Sequence, residues 1–202
     1  MIIMPSNNTG RVVKDLFKKH PNKIALLLNP RNITPHQLQF KYAVDNDCYT
    51  KFDSVMYFSQ LIKIRAMYEN GLIDKPMWVV VPDVVGCNDR TQVLWQFYYP
   101  KIKPFGFKLA FVAQDGCELE GVPKEADIVF VGGRDPWKMD NIHKFIGDRP
   151  VHVGRVNGIG RLTYCESLGV DSVDGTGWLV QRGKQYNDFI RFFEGEKQCS
   201  LL

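Results

Sequence analysis

The chain has 202 residues, and 26 Lys and Arg stand against 22 Asp and Glu for a formal net charge of +4. Apolar residues make up 45% and charged residues 24%, which excludes a disordered chain, and no apolar run approaches the ~20 residues of a membrane helix. The five cysteines, at 48, 87, 117, 165 and 199, include no CxxC or CxxH pair, which argues against a local zinc site and for reduced thiols. The first residues, Met1 to Pro5, lack the basic and apolar regions of a secretory signal. A cytoplasmic protein without a membrane anchor is the expectation.

In chain order, the recurring unit is a short apolar run that ends in a polar or glycine turn. Ile2–Met4 runs into Ser6-Asn7-Asn8, and a helix is expected over 10–20, with Val12, Val13, Leu16 and Phe17 on one face. Residues 24–28 run into Asn29-Pro30-Arg31-Asn32, and Tyr42–Val44 into Asp45-Asn46-Asp47. The clearest helix is expected over 53–70, where Val55, Phe58, Leu61, Ile62 and Met67 are spaced for one apolar face and Asn70-Gly71 is a stop signal. Residues 78–81 then run into Pro82-Asp83, Leu109–Ala113 into Gln114-Asp115-Gly116, and Ile128–Val131 into Gly132-Gly133. Val151–Val153 runs into Gly154-Arg155, and 170–173 into Asp174-Gly175-Thr176-Gly177. Shorter helices are expected over 89–98, 136–145 and 160–168.

The apolar runs are continuous and rich in β-branched residues, as in strands buried on both faces. Strands alternating with helices imply parallel βα units. Eight of them point to an α/β fold, a compact (β/α)8 TIM-like barrel, with one degenerate crossover over the Gly- and Pro-containing residues 115–126. A doubly wound open sheet is the rival. The expected organisation is a single barrel over 1–180 and a C-terminal helix and tail over 181–202.

In either fold the active site is built by loops leaving the C-terminal strand ends. Asp45, Asp83, Gln114, Gly132, Gly133, Gly154, Arg155 and Asp174 all sit at such ends and should converge on one mouth. A carboxylate there can accept from adjacent ring N–H groups, and a Gln amide or glycine N–H can donate to a carbonyl, so a purine edge would fit. The same groups suit a metal with a phosphorylated metabolite, and composition does not decide between them. His152 reads as a packed residue, and the four histidines show no metal spacing.

The segment from Asp45 to Thr50, Pro82-Asp83, the run Val112-Ala113-Gln114-Asp115-Gly116, Val131-Gly132-Gly133 and the run Leu168 to Asp174 together resemble the tRNA-guanine transglycosylase superfamily. The likeness is strongest to its phage and bacterial DNA-guanine transglycosylase branch. It implies Asp174 as the nucleophile, Asp45 in proton transfer and Tyr49 stacked on the base. Asp83, Gln114, Gly132, Gly133 and Gly154 would hold that base, and no cofactor or metal is implied. Asp47 and Cys48 depart from the family's paired glycines, and the absence of clustered Cys and His departs from the zinc subdomain of the tRNA enzymes.

The implied reaction exchanges guanine in DNA for a 7-deazaguanine-type free base, such as 7-cyano-7-deazaguanine, through a covalent Asp174 intermediate. Arg134, Lys138, Arg155 and Arg161 would then serve the nucleic acid. The alternatives are a glycosyl hydrolase, a tRNA-directed transglycosylase of the same superfamily, and a non-catalytic nucleic-acid-binding barrel. A phosphate held at Gly132-Gly133 would instead indicate an isomerase or aldolase-like barrel.

Overall fold

Eight short parallel strands lie in the order β1-β8-β7-β6-β5-β4-β3-β2. They are β1 (Ile2–Met4), β2 (Leu26–Leu28), β3 (Tyr42–Val44), β4 (Val79–Val80), β5 (Leu109–Ala113), β6 (Ile128–Val131), β7 (Val151–Val153) and β8 (Ser172–Asp174). Parallel bridges Ile3–Ile24 and Ser6–Leu27 join β1 to the β2 segment and close the ring. This computed structural model describes residues 1–180 and 184–195. The closed ring is the (β/α)8 barrel expected from the alternation, and it excludes the open sheet.

Side chains alternate along each strand, and both sides are buried. Leu27, Ala43, Val80, Ala110, Val112, Ile128 and Phe130 point into the barrel, where Trp78 fills the centre. Leu26, Leu28, Val44, Val79, Phe111, Val129 and Val153 point outward to the helices. This two-sided burial is why the strands read as continuous apolar runs. His152 and Ser172 take the inward positions of β7 and β8, so the barrel interior has one polar seam.

The outer layer contains α1 (Arg11–Lys19), α2 (Ser54–Glu69), α3 (Asn88–Ile102), α4 (Trp137–Asn141), α5 (Ile159–Ser167), α6 (Gly177–Val180) and α7 (Lys184–Glu194). Asp53 caps α2, its carboxylate accepting from the Met56 N–H at 3.0 Å. Gly71, at φ 69°, ends it in the left-handed conformation. The face that α2 buries is Tyr57, Leu61 and Ile64, not the expected Val55 and Ile62, which are exposed. The β5–β6 crossover holds only the 3-10 turn Leu119–Gly121, and the β2–β3 crossover is equally reduced, to the turns Pro30–Asn32 and Gln37–Gln39. Downstream of β8, Phe189 of α7 stacks on Trp178 of α6 with centroids 5.5 Å apart. The end of the expected tail, including Cys199, lies outside the described residues.

Candidate active site

The strand ends place their polar residues around a cavity of about 220 Å³ at the C-terminal mouth. That is far more than the ~10–15 Å³ a single water needs, and below the ~300 Å³ at which drug-sized sites begin. Its floor is the top layer of the barrel interior, Leu27, Val80, Val112 and Phe130. Two glycines keep this floor open. A methyl on Gly154 would lie 2.5 Å from Phe130 Cε2, and one on Gly132 would lie 2.7 Å from Val112 Cγ1.

Three buried or half-buried carboxylates face the cavity in three different settings. Asp83, beyond β4, is held on both oxygens: Asn46 Nδ2 donates to Oδ1 at 2.7 Å and Gln114 Nε2 to Oδ2 at 2.5 Å. Gln114 is itself fixed, because its carbonyl accepts from the Gly86 and Gly133 N–H groups at 2.8 Å each. Burial pushes Asp83 above the ordinary carboxylate range, and the Asn46 and Gln114 bonds oppose it.

Asp174, at the end of β8, is backed from inside the barrel. Its Oδ1 accepts from His152 Nε2 at 3.1 Å and from the Arg155 backbone N–H at 3.2 Å. His152 Nδ1 lies 2.9 Å from Ser172 Oγ. With Nε2 donating to the carboxylate, the neutral ring accepts at Nδ1 from the Ser172 hydroxyl, an assignment that follows from the partners.

Asp45, at the end of β3, has one hydrogen bond, from the Asn46 backbone N–H at 2.8 Å. Burial pushes its carboxyl from 3.8 up to about 7; that bond opposes the shift, and the nearby Asp174, Asp83 and Asp47 add to it. Asp45 is therefore the group poised to exchange a proton near neutral pH.

The rim is built from strained backbone. Asp47 and Arg155 adopt φ of 61° and 55°, unusual for residues with side chains. Asp47 is held by Arg31 Nε and by Asn29 Nδ2. Arg155 donates to the Gly133 carbonyl at 2.6 Å, and its guanidinium lies 4.6 Å from the centroid of the Tyr49 ring. Tyr49 and Arg155 thus meet across the opening from opposite strand ends.

Asp45, Asp83, Asp174, Gln114, Gly132, Gly133, Gly154, Tyr49 and Arg155 all line this cavity. Arg134, Lys138 and Arg161, expected on a nucleic-acid face, do not line it. Lys138 is only 1% exposed. It donates to the Gly154 carbonyl at 2.7 Å and pairs with Asp135 at 3.0 Å; burial lowers its pKa and Asp135 opposes this. Arg161 pairs with Asp135 at 2.6 Å and Arg134 with Asp115 at 2.7 Å.

Sequence reasoning missed His152, Ser172 and Asn46. The available signal was the inward alternation of Val151-His152-Val153 beside Ser172-Val173-Asp174, since β7 and β8 pair His152 with Ser172. Among the described residues, no three His, Cys, Asp or Glu side chains are grouped to hold a metal ion. No helix among them is long and apolar enough to cross a membrane.

No family model matches the chain, and no curated protein matches it. Solved structures do share its fold. A 3-hexulose-6-phosphate synthase from Salmonella typhimurium aligns over 96% of this chain and 97% of its own, at 10% identity and a TM-score of 0.55. A protein from Burkholderia cenocepacia described as a lyase/mutase aligns over 96% and 80%, at 16% identity and a TM-score of 0.44. A structure described as native KDPGal aligns over 96% and 81%, at 10% identity and 0.41.

The class this defines is the compact (β/α)8 barrel, a statement of fold alone at such low identity. It overturns the expected family. The fold match runs to a sugar-phosphate synthase and not to a guanine transglycosylase, and no family or curated match restores the latter. The transglycosylase reaction on DNA, its hydrolase, tRNA and non-catalytic alternatives, the 7-deazaguanine base and the phage association are withdrawn with it.

Proposed function

We propose that the chain is an acid–base enzyme acting on a small molecule rich in hydrogen-bond donors, bound in the barrel mouth. The supporting observation is the divergence of three carboxylates around one cavity. Asp45 is pushed to about 7 with a single hydrogen bond, whereas Asp83 is oriented by one bond on each oxygen, from Asn46 and Gln114, and keeps further acceptor capacity, and Asp174 is braced by His152. Paired groups with divergent environments divide the labour of proton transfer and binding. In this reading Asp45 gives a proton to the substrate and takes it back, Asp174 stabilises the positive charge the protonated substrate carries, and Asp83 anchors a donor group.

The ligand class follows from charge. Asp45, Asp47, Asp83 and Asp174 line the cavity with Arg155 as the single cation, and Asp47 is already paired with Arg31. Such a site favours an amine, amidine or amide edge over a phosphate or carboxylate. The support is the site, since the fold neighbours establish no activity.

Thermal melts with benzamidine and methylammonium, set against phosphate and acetate, test this. The nitrogen compounds should raise the melting temperature in wild type and less in Asp83→Asn. Stabilisation by phosphate alone would overturn the reading.

A further inference from the structure

Lys138 is buried outside the cavity, and the acid–base chemistry of the mouth makes no use of it. A lysine is rarely buried to this degree unless it is paired, and here it does more than pair. Asp135 already receives Arg161 at 2.6 Å, so the Lys138 ammonium at 3.0 Å is its second cation. Nζ also donates to the Gly154 carbonyl at 2.7 Å. The nitrogen of that same peptide group belongs to Arg155, whose N–H donates to Asp174 Oδ1 at 3.2 Å. A trans peptide group is planar, with its C=O and N–H pointing in opposite directions. One rigid unit therefore carries a cation at its carbonyl end and a carboxylate at its N–H end. In that arrangement each charge-assisted bond polarises and strengthens the other.

The backbone shows that this orientation is imposed. Arg155 sits at φ 55°, in the left-handed region that residues with side chains seldom occupy. Turning the Gly154–Arg155 peptide over by half a rotation would carry that φ to about −125°, ordinary extended backbone. The flanking bonds do not prevent the turn. The Gly154 N–H is fixed to the Val131 carbonyl at 3.0 Å and the Val156 N–H to the Asp174 carbonyl at 2.7 Å, and neither belongs to the peptide in question. The turn would withdraw the N–H from Asp174 and the carbonyl from Lys138.

We propose that Lys138 is a positioning residue for Asp174: its ammonium pins the Gly154 carbonyl and so holds the 154–155 peptide with its N–H on the carboxylate. The same pin keeps Arg155 left-handed, which sets its guanidinium on the Gly133 carbonyl at 2.6 Å and 4.6 Å from the Tyr49 ring centroid. Lys138 thus organises a carboxylate and a cation of the mouth from outside it. What Asp174 does for a substrate rests on the acid–base reading, whereas the way it is held does not.

NMR of the ligand-free chain at pH 6 tests this independently of which compound the mouth accepts. In wild type the Lys138 ammonium protons should exchange with water about tenfold or more slower than those of the exposed Lys63. The HN–Hα cross-relaxation peak within Arg155 should be strong, because a positive φ brings those two protons together. Lys138→Met removes the pin while Arg161 still answers Asp135. In that chain the Arg155 peak should weaken and its amide should exchange about tenfold faster, with the Gly154 and Val156 amides unchanged. Asp135→Asn separates the pin from its ion pair: Lys138 keeps the Gly154 carbonyl, so the Arg155 peak should stay strong. The wild-type and Asp135→Asn arms stand even where Lys138→Met does not fold. A Lys138 ammonium that exchanges as fast as that of Lys63 overturns the proposal. So does a folded Lys138→Met chain whose Arg155 peak and amide match wild type. An Asp135→Asn chain that loses the Arg155 peak also overturns it, and assigns the peptide's orientation to the Asp135 cluster.

Discussion

His152 Nε2 lies 3.1 Å from Asp174 Oδ1 inside the barrel, with Ser172 Oγ 2.9 Å from the other ring nitrogen. The imidazole is wholly buried and packs against Phe130 and Trp78, at centroid distances of 4.5 and 4.9 Å. His152→Phe keeps much of that packing but removes both polar contacts. Ser172 is then left buried without its partner, and Asp174 keeps only the Arg155 N–H. We expect a loss of about 1–3 kcal/mol in urea denaturation. In the same variant Asp174→Asn should cost less than it does in wild type, because the two residues act as one unit.

Asp45 gives a pH signature. Its folded-state carboxyl titrates at about 7 against an ordinary 3.8, so the folded chain holds this proton more tightly than the unfolded one. Ionising it therefore opposes folding. The cost is absent below pH ~4, grows between there and ~7, and is complete above. Three units set a ceiling of about 4 kcal/mol, and solvent at the open mouth reduces this to roughly 1–2. Asp45→Asn should be more stable than wild type at pH 8.5 by that amount and nearly equal to it at pH 4. An equal difference at both pH values would show that Asp45 titrates as an ordinary carboxylate.

Much of this architecture is legible in the sequence, and the reason is burial. Strands covered on both faces must be apolar throughout, so runs such as Ile128–Val131 announce themselves, and the polar residue after each run falls at the mouth. That same rule explains why the site residues converge whatever the chemistry: any residue at a strand's C-terminal end reaches the cavity, so convergence does not discriminate a transglycosylase from another barrel. The α2 face was less legible, because Val55 and Ile62 are as apolar as Leu61 and periodicity cannot say which stripe meets the barrel. His152 was missed because its partners lie on a different strand. The cations Lys138 and Arg161 both answer Asp135, a pairing that spacing along the chain does not reveal.

Gln114 is the joint between three strand ends. Its carbonyl accepts from the Gly86 and Gly133 N–H groups while its amide donates to Asp83. Gln114→Met leaves those N–H groups and one Asp83 oxygen unpaired, and should cost about 2–4 kcal/mol in chemical denaturation. Gln114→Glu still accepts from both N–H groups but sets a second carboxyl against Asp83. The pair must then share a proton, so this variant should approach wild-type stability in acid and fall away as pH rises. A pH-independent loss would place Asp83 elsewhere than on the amide.

Gly132 tests the same joint from the side. A methyl there would lie 2.7 Å from Val112 Cγ1 and 2.8 Å from Gln114 Nε2, closer than either contact permits. Gln114 cannot swing aside, because both ends of its amide are held. Gly132→Ala should therefore break the Gln114–Asp83 bond or displace Val112, at about 1–3 kcal/mol. Gly160, in α5, has nothing within 4 Å of an added methyl, so Gly160→Ala should stabilise by roughly 0.5–1 kcal/mol through helix propensity. The informative measurement is the double variant. If the clash with Gln114 dominates, Gly132→Ala should cost at least 0.5 kcal/mol less in a Gln114→Ser background, where the shorter side chain vacates the space. An unchanged cost would assign the strain to Val112 and leave the amide joint intact.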